Sequence, residues 1–135
     1  MRRITFLLLI VACLTTGCSR VHKQLRGRIT NCDSVAINYF KGNGTMDTVV
    51  LVKIISDKNT LDKLSNLITK NVVKGNPHCG YDGSLHFFKS NEVVQDIYFS
   101  MNNDDCTQFY FSFNREKNAS ELSAEAKKIL QGLKH

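Results

Sequence analysis

Apolar and polar residues alternate between Cys79 and Phe113, and this stretch constrains the fold more than any other. Phe109, Phe111 and Phe113 alternate with Gln108, Tyr110 and Ser112. Successive side chains of a strand point to opposite faces, so the three phenylalanines share one buried face. Val93, Ile97, Phe99 and Met101 repeat that spacing, broken by Gln95. Together with the run from Leu85 to Lys89 they predict three antiparallel strands with a cysteine near each end. Turns are expected at Asp82-Gly83, at Ser90-Asn91-Glu92 and over Asn102–Asp105.

The flanking segments complete the expected fold. Ile29 to Phe40 reads as a first strand with Val35, Ile37 and Tyr39 on one face; Asn31-Cys32-Asp33 is either a bulge in it or its true start. Gly42-Asn43-Gly44 tolerates positive φ and marks a hairpin. Thr48 to Ile55 is its partner, and its apolar run Val49-Val50-Leu51-Val52 suggests a central strand covered on both faces. Ser56 and Asp57 are cap candidates for a helix whose stripe is Leu61, Leu64, Leu67 and Ile68. Lys74-Gly75-Asn76-Pro77 is a loop signal. Asn118-Ala119-Ser120-Glu121 has the pattern of a capping box for a closing helix with Leu122, Ala126, Ile129, Leu130 and Leu133 on its buried side. The order ββαβββα predicts a single α+β domain over residues 29–135. It would be a five-stranded, mostly antiparallel sheet with two helices on one face. The other face would carry Tyr98 and Tyr110.

A chain of 135 residues favours one domain. Its charged fraction of 22% gives no support to disorder. The amino terminus has a separate character. Met1-Arg2-Arg3 is a basic head, Ile4 to Leu14 is uncharged and apolar, and Thr15-Thr16-Gly17-Cys18 follows. That arrangement reads as a secretory signal, and the run falls short of the roughly 20 apolar residues needed to span a bilayer. Cys18 after Gly17 resembles the signal of bacterial lipoproteins, in which the cysteine is lipidated and becomes the mature terminus. Thr15 stands where leucine is usual. Ile10-Val11-Ala12-Cys13 matches the usual pattern better, which makes Cys13 the alternative, but it leaves a very short apolar run, so Cys18 is favoured. The resemblance implies cleavage of residues 1–17, a lipidated Cys18 and attachment to a bacterial membrane, on the periplasmic side or in the outer membrane. It covers the first eighteen residues only. Loss of Arg2 and Arg3 lowers the net charge from +6 to +4. Residues 18–28, with Arg20, His22, Lys23, Arg26 and Arg28 and no acid, then form a flexible tether beside the headgroups. An exported chain with so mild a charge has no nucleic-acid partner to expect.

Cys32, Cys79 and Cys106 remain in the exported part, and an oxidising compartment favours at least one pair. Hairpin counting brings Cys79 and Cys106 to the same end of the three-stranded meander, on opposite sides of its middle strand, so they are the expected disulfide. Closing that loop stabilises by about 3 kcal/mol. Cys32 is left as a buried free thiol or an alternative partner.

Other chemistry is thinly represented. His78, Asp82 and His86 are the weak alternative for a metal site beside Cys79, at a spacing that matches no established ligand pattern. Cys79 with a neighbouring histidine could imitate a thiol nucleophile, but a disulfide would silence it. Asp104 and Asp105, with Asp96 and Glu92, offer carboxylates for a small hydrolase, although Asp104 and Asp105 sit in what reads as a solvated turn. There is no Walker loop, G-x-G-x-x-G or H-E-x-x-H motif, so no cofactor is expected. The expectation is therefore a lipid-anchored envelope module that binds a protein or ligand. It would serve as inhibitor, immunity-type protector or accessory subunit, through a surface including Tyr98, Tyr110, Asp104 and Asp105. A carboxylate-dependent hydrolase and a metal-binding sensor or carrier are the competing readings.

Overall fold

The computed structural model describes residues 20–42 and 45–135. It is an α+β fold with three helices and a seven-stranded antiparallel sheet. Residues 20–29 form α1. The strands are β1 (Ser34–Gly42), β2 (Thr45–Ile55), β3 (Val72–Val73), β4 (Gly83–Lys89), β5 (Glu92–Ser100), β6 (Gln108–Phe113) and β7 (Glu116–Glu121), with α2 (Lys58–Ile68) after β2 and α3 (Ala124–Lys134) at the end. The sheet order is β2-β1-β4-β5-β6-β7-β3. Among the described residues no helix is long and apolar enough to cross a membrane.

The expected alternation places the core. Val35, Ile37 and Tyr39 of β1 share one face with Leu85 and Phe87 of β4, Ile97 and Phe99 of β5, and Phe109 and Phe111 of β6. Leu25 and Ile29 of α1, Leu61, Leu64, Leu67 and Ile68 of α2, and Ala126 and Leu130 of α3 pack into the same cluster. Each large side chain buried there contributes about 1.5–3 kcal/mol. Asp57 caps α2 by accepting from the Thr60 backbone N–H at 2.9 Å, and Ser123 caps α3 by accepting from that of Ala126 at 3.2 Å.

Several expectations need correction. The sheet has seven strands rather than five, and three helices rather than two cover its inner face. Residues 20–28, expected as tether, are helical, because Val21, Leu25 and Ile29 recur every fourth residue and reach the core. β1 therefore starts at Ser34, after Asn31-Cys32-Asp33. The run Glu116–Glu121 is a strand rather than a capping box. Asn114 and Arg115, with φ of 49° and 68°, form the tight turn that folds β7 back on β6. Ser90 and Asn91, at 52° and 65°, make the same kind of turn between β4 and β5. Gly83 opens β4 rather than serving as a turn; an added Cβ there would collide with the Asn38 carbonyl and the Phe99 ring. β2 is an edge strand, not a central one. Its inner face is half covered, while Val52 and Ile54 (73% exposed) point outward, so apolarity on both faces did not signify burial on both. The Gly42-Asn43-Gly44 turn lies partly outside the described residues, and the signal segment 1–17, Cys13 and Cys18 lie wholly outside them.

Candidate binding cleft

Pairing is regular between β1 and β4 but stops short between β5 and β6. These two strands pair at only three positions, from Tyr98 opposite Tyr110 to Ser100 opposite Gln108. β6 continues along β7 and β5 along β4, so the two strands part from each other beyond Tyr98 and Tyr110. The local cause is a bulge in β5: Phe87 stands opposite Gln95 and Phe88 opposite Val93, with Val94 left over. A bulge bends its strand and strengthens the local twist. The Gln95 side chain bridges the resulting gap. Its Nε2 donates to the carbonyls of Asp96 at 3.0 Å and Ser112 at 3.5 Å, and its Oε1 accepts from Arg28 at 3.5 Å. Arg28 itself lies 4.4 Å from the centre of the Phe113 ring.

A loop roofs the gap. Residues 74–82 leave β3 at the far edge of the sheet, pass β7, β6 and β5, and enter β4. Gln108 holds the loop by its backbone: its Nε2 donates to the Lys74 carbonyl at 3.3 Å and its Oε1 accepts from Asn76 N–H at 3.2 Å. Gly75 crosses close above Ala119 and the Tyr110 ring, where a Cβ would meet the Ala119 Cβ at 3.3 Å. The Cys79–Cys106 disulfide, with Cα atoms 5.7 Å apart, ties the loop to the short 3₁₀ turn between β5 and β6. The expected bridge is thus formed, and the loop curls over the strand end to form it. At the far end of the loop the Asp82 carboxylate accepts from Met101 N–H at 2.7 Å and from Asn102 N–H at 3.0 Å and Nδ2 at 2.8 Å.

Between roof and sheet lies a cleft of about 660 Å³. That is within the range of small-ligand sites, about 300–1,000 Å³. Tyr98 and Tyr110, placed by sequence on the outward face, stand opposite each other at its wall. Tyr81 stacks on Tyr98 with ring centres 4.9 Å apart and leans on Tyr110 at 5.2 Å. Tyr81 was not singled out by the sequence, and nothing in its neighbourhood marks it: only the course of the loop carries it to the other two. Val93, Val94 and Pro77 add apolar wall, and Arg28, Lys74 and Lys117 add cations. The Tyr110 hydroxyl is buried without a hydrogen-bond partner. Burial, and secondarily the neighbouring Tyr81, pushes its phenol above the ordinary range, so it stays protonated at neutral pH and remains a donor.

The other candidates separate. Asp104 and Asp105 are exposed in the 3₁₀ turn and do not line the cleft, so the expected surface of Tyr98, Tyr110, Asp104 and Asp105 is not one site. His78, Asp82 and His86 do not converge: Asp82 is committed to Met101 and Asn102, His78 is exposed on the loop, and His86 lies mid-strand. Among the described residues no group of three His, Cys, Asp or Glu side chains could hold a metal ion. His86 is instead the centre of a cross-strand chain. Its Nδ1 pairs with Asp96, and its Nε2 lies 3.0 Å from Ser84 Oγ and 3.1 Å from Asn38 Nδ2. The order Ser84, His86, Asp96 has the connectivity of a nucleophile, base and orienting acid. Ser84, however, is 2% exposed and shares the imidazole nitrogen with Asn38, so no substrate carbon can reach its oxygen in this conformation. Cys32 is a half-buried free thiol that donates to the Arg28 carbonyl at 3.3 Å. Burial raises its pKa, Lys89 partly opposes that, and Asp33 adds to it, leaving little thiolate.

Compared with known proteins, the chain matches no family model, no curated protein and no solved structure.

Proposed function

We propose that this chain is a lipid-anchored protein of the bacterial cell envelope whose folded part binds a small ligand in the cleft between β5 and β6. The cleft carries this reading. A bulge opens the sheet, a disulfide-tied loop covers the opening, and the space left has three tyrosines on its wall and a buried hydroxyl without a partner. Buried polar groups in folded proteins are normally satisfied, and this orphan belongs to a residue that lines the cavity. The anchor rests on the signal pattern that ends at Cys18 and on the pair Cys79–Cys106, which suits an oxidising compartment. A binding role that uses no catalytic group fits the exposed positions of Asp104 and Asp105 and the sealed position of Ser84.

The test is mass spectrometry of small molecules released when the protein, purified from its native envelope, is unfolded. The wild type releases a compound that Tyr98→Asp, folded by circular dichroism, does not. Equal or empty profiles from the two proteins refute the cleft as a binding site. In fractionated cells, Cys18→Ser moves the protein from membrane to soluble fractions; unchanged membrane association refutes the anchor.

A further inference from the structure

The cleft is unevenly charged. Arg28 comes from α1, Lys74 from the roofing loop and Lys117 from β7, three separate segments that meet at one cavity. The single acid on its wall is Asp96, and that carboxylate is engaged by His86. Among the described residues the ion pairs are Lys58–Asp62, Lys63–Glu125 and His86–Asp96, so none of the three cations has an acidic partner. Three cations around one cavity repel one another, modestly because each is exposed. A bound anion reverses it. The same cleft has apolar wall as well: Val93 is 48% exposed and Tyr98 36% exposed, and Pro77 lines it too.

Building on the binding role proposed above, we infer that the cleft takes an oxyanion carried on an apolar body, a carboxylate or phosphate ester with its charge toward Arg28, Lys74 and Lys117 and its body against Tyr98 and Val93. Both halves of that description are needed. A bare oxyanion leaves Val93 and Tyr98 wet, and a neutral ring leaves the three cations unpaired. The same chemistry is found in soluble aromatic acids and phosphates and in anionic lipid headgroups with their acyl chains.

The purified protein is titrated by heteronuclear NMR with phenyl phosphate, with benzyl alcohol as the neutral control and glycerol phosphate as the control without a ring. Phenyl phosphate is expected to shift Tyr81, Tyr98 and Tyr110 resonances at least tenfold more tightly than either control, with affinity falling as salt rises. Lys74→Gln with Lys117→Gln weakens phenyl phosphate tenfold or more and leaves benzyl alcohol unchanged. These exposed lysines are not needed for folding, whereas Arg28 is held by Gln95 and Phe113 and is left intact. Flotation of the Cys18→Ser protein, which has no lipid of its own, with phosphatidylglycerol vesicles, set against phosphatidylcholine vesicles, gives the second arm. Binding to the anionic vesicles alone, lost in the double variant, supports the inference with a headgroup as its source. Benzyl alcohol binding as tightly as phenyl phosphate overturns the charge assignment while leaving the cleft a binding site. No response of the tyrosines to any probe, with no binding to anionic vesicles, overturns the inference whatever the native compound proves to be.

Discussion

Tyr39 offers a prediction whose magnitude follows from the structure alone. Its ring is 1% exposed, its hydroxyl donates to the Leu130 carbonyl of α3 at 2.6 Å, and burial pushes its phenol up to about 12. In the unfolded chain the same group ionises near pH 10. Above that pH the unfolded state sheds the proton first, so the folded state loses stability as pH rises from the unfolded toward the folded pKa. Between those values the slope approaches about 1.4 kcal/mol per pH unit, with about 1.4 kcal/mol gone by pH 11 and about 2.3 kcal/mol by pH 12, where the folded phenol is itself half ionised. Tyr39→Phe removes the titration but also removes a buried hydrogen bond worth about 1 kcal/mol. The variant should therefore be the less stable protein at pH 7 and the more stable one in strong alkali, the two curves crossing between about pH 10.5 and 11. Urea unfolding followed by circular dichroism at half-unit steps from pH 8 to 12 measures it. A stability difference that stays constant across that range would refute the claim that α3 seals this phenol away from water.

Two further outcomes follow from the turns and the roof. Arg115 is exposed and sits at φ 68°, where only glycine is free of steric cost. Arg115→Gly should raise stability by about 0.5–1 kcal/mol, read as a higher melting temperature, and a fall would show that the arginine makes a contact outweighing its backbone cost. Cys106→Ala opens a cross-link between residues 27 apart, which the chain-entropy relation values at about 3–4 kcal/mol. Hydrogen exchange should then quicken at Asn76 and Cys79 more than in β1; equal protection throughout would mean that Gln108 alone holds the loop.

The legible parts of this fold were those where one residue type repeats at one period. The phenylalanines of β6 and the leucines of α2 announce their elements because a single face is buried along the whole length. α1 carried a signal as well, Val21, Leu25 and Ile29 at four-residue spacing, but the basic residues around them read as a solvated tether. β7 carried almost none. Its turn, Asn114-Arg115, contains no glycine, and its residues Lys117, Asn118 and Ser120 have little strand preference of their own. It is a strand because β6 and β3 flank it and because Ala119 is small enough to lie under Gly75.

The cleft was out of reach of local reading for a different reason. Counting back from the Ser90–Asn91 turn without a bulge would set His86 against Gln95 and Leu85 against Asp96, burying a carboxylate in the core. The extra residue at Val93–Val94 shifts the register by one, so that Leu85 meets Ile97 and His86 meets Asp96. The alternation broken at Gln95 is the trace of this event in the sequence. The register shift therefore has two effects that cannot be separated. It keeps Asp96 out of the core, and it turns β5 away from β6 to leave the gap that Gln95 spans. A site produced by the correction of a hairpin register leaves no motif of its own. The tyrosines become informative only once the bulge opens the space beneath them.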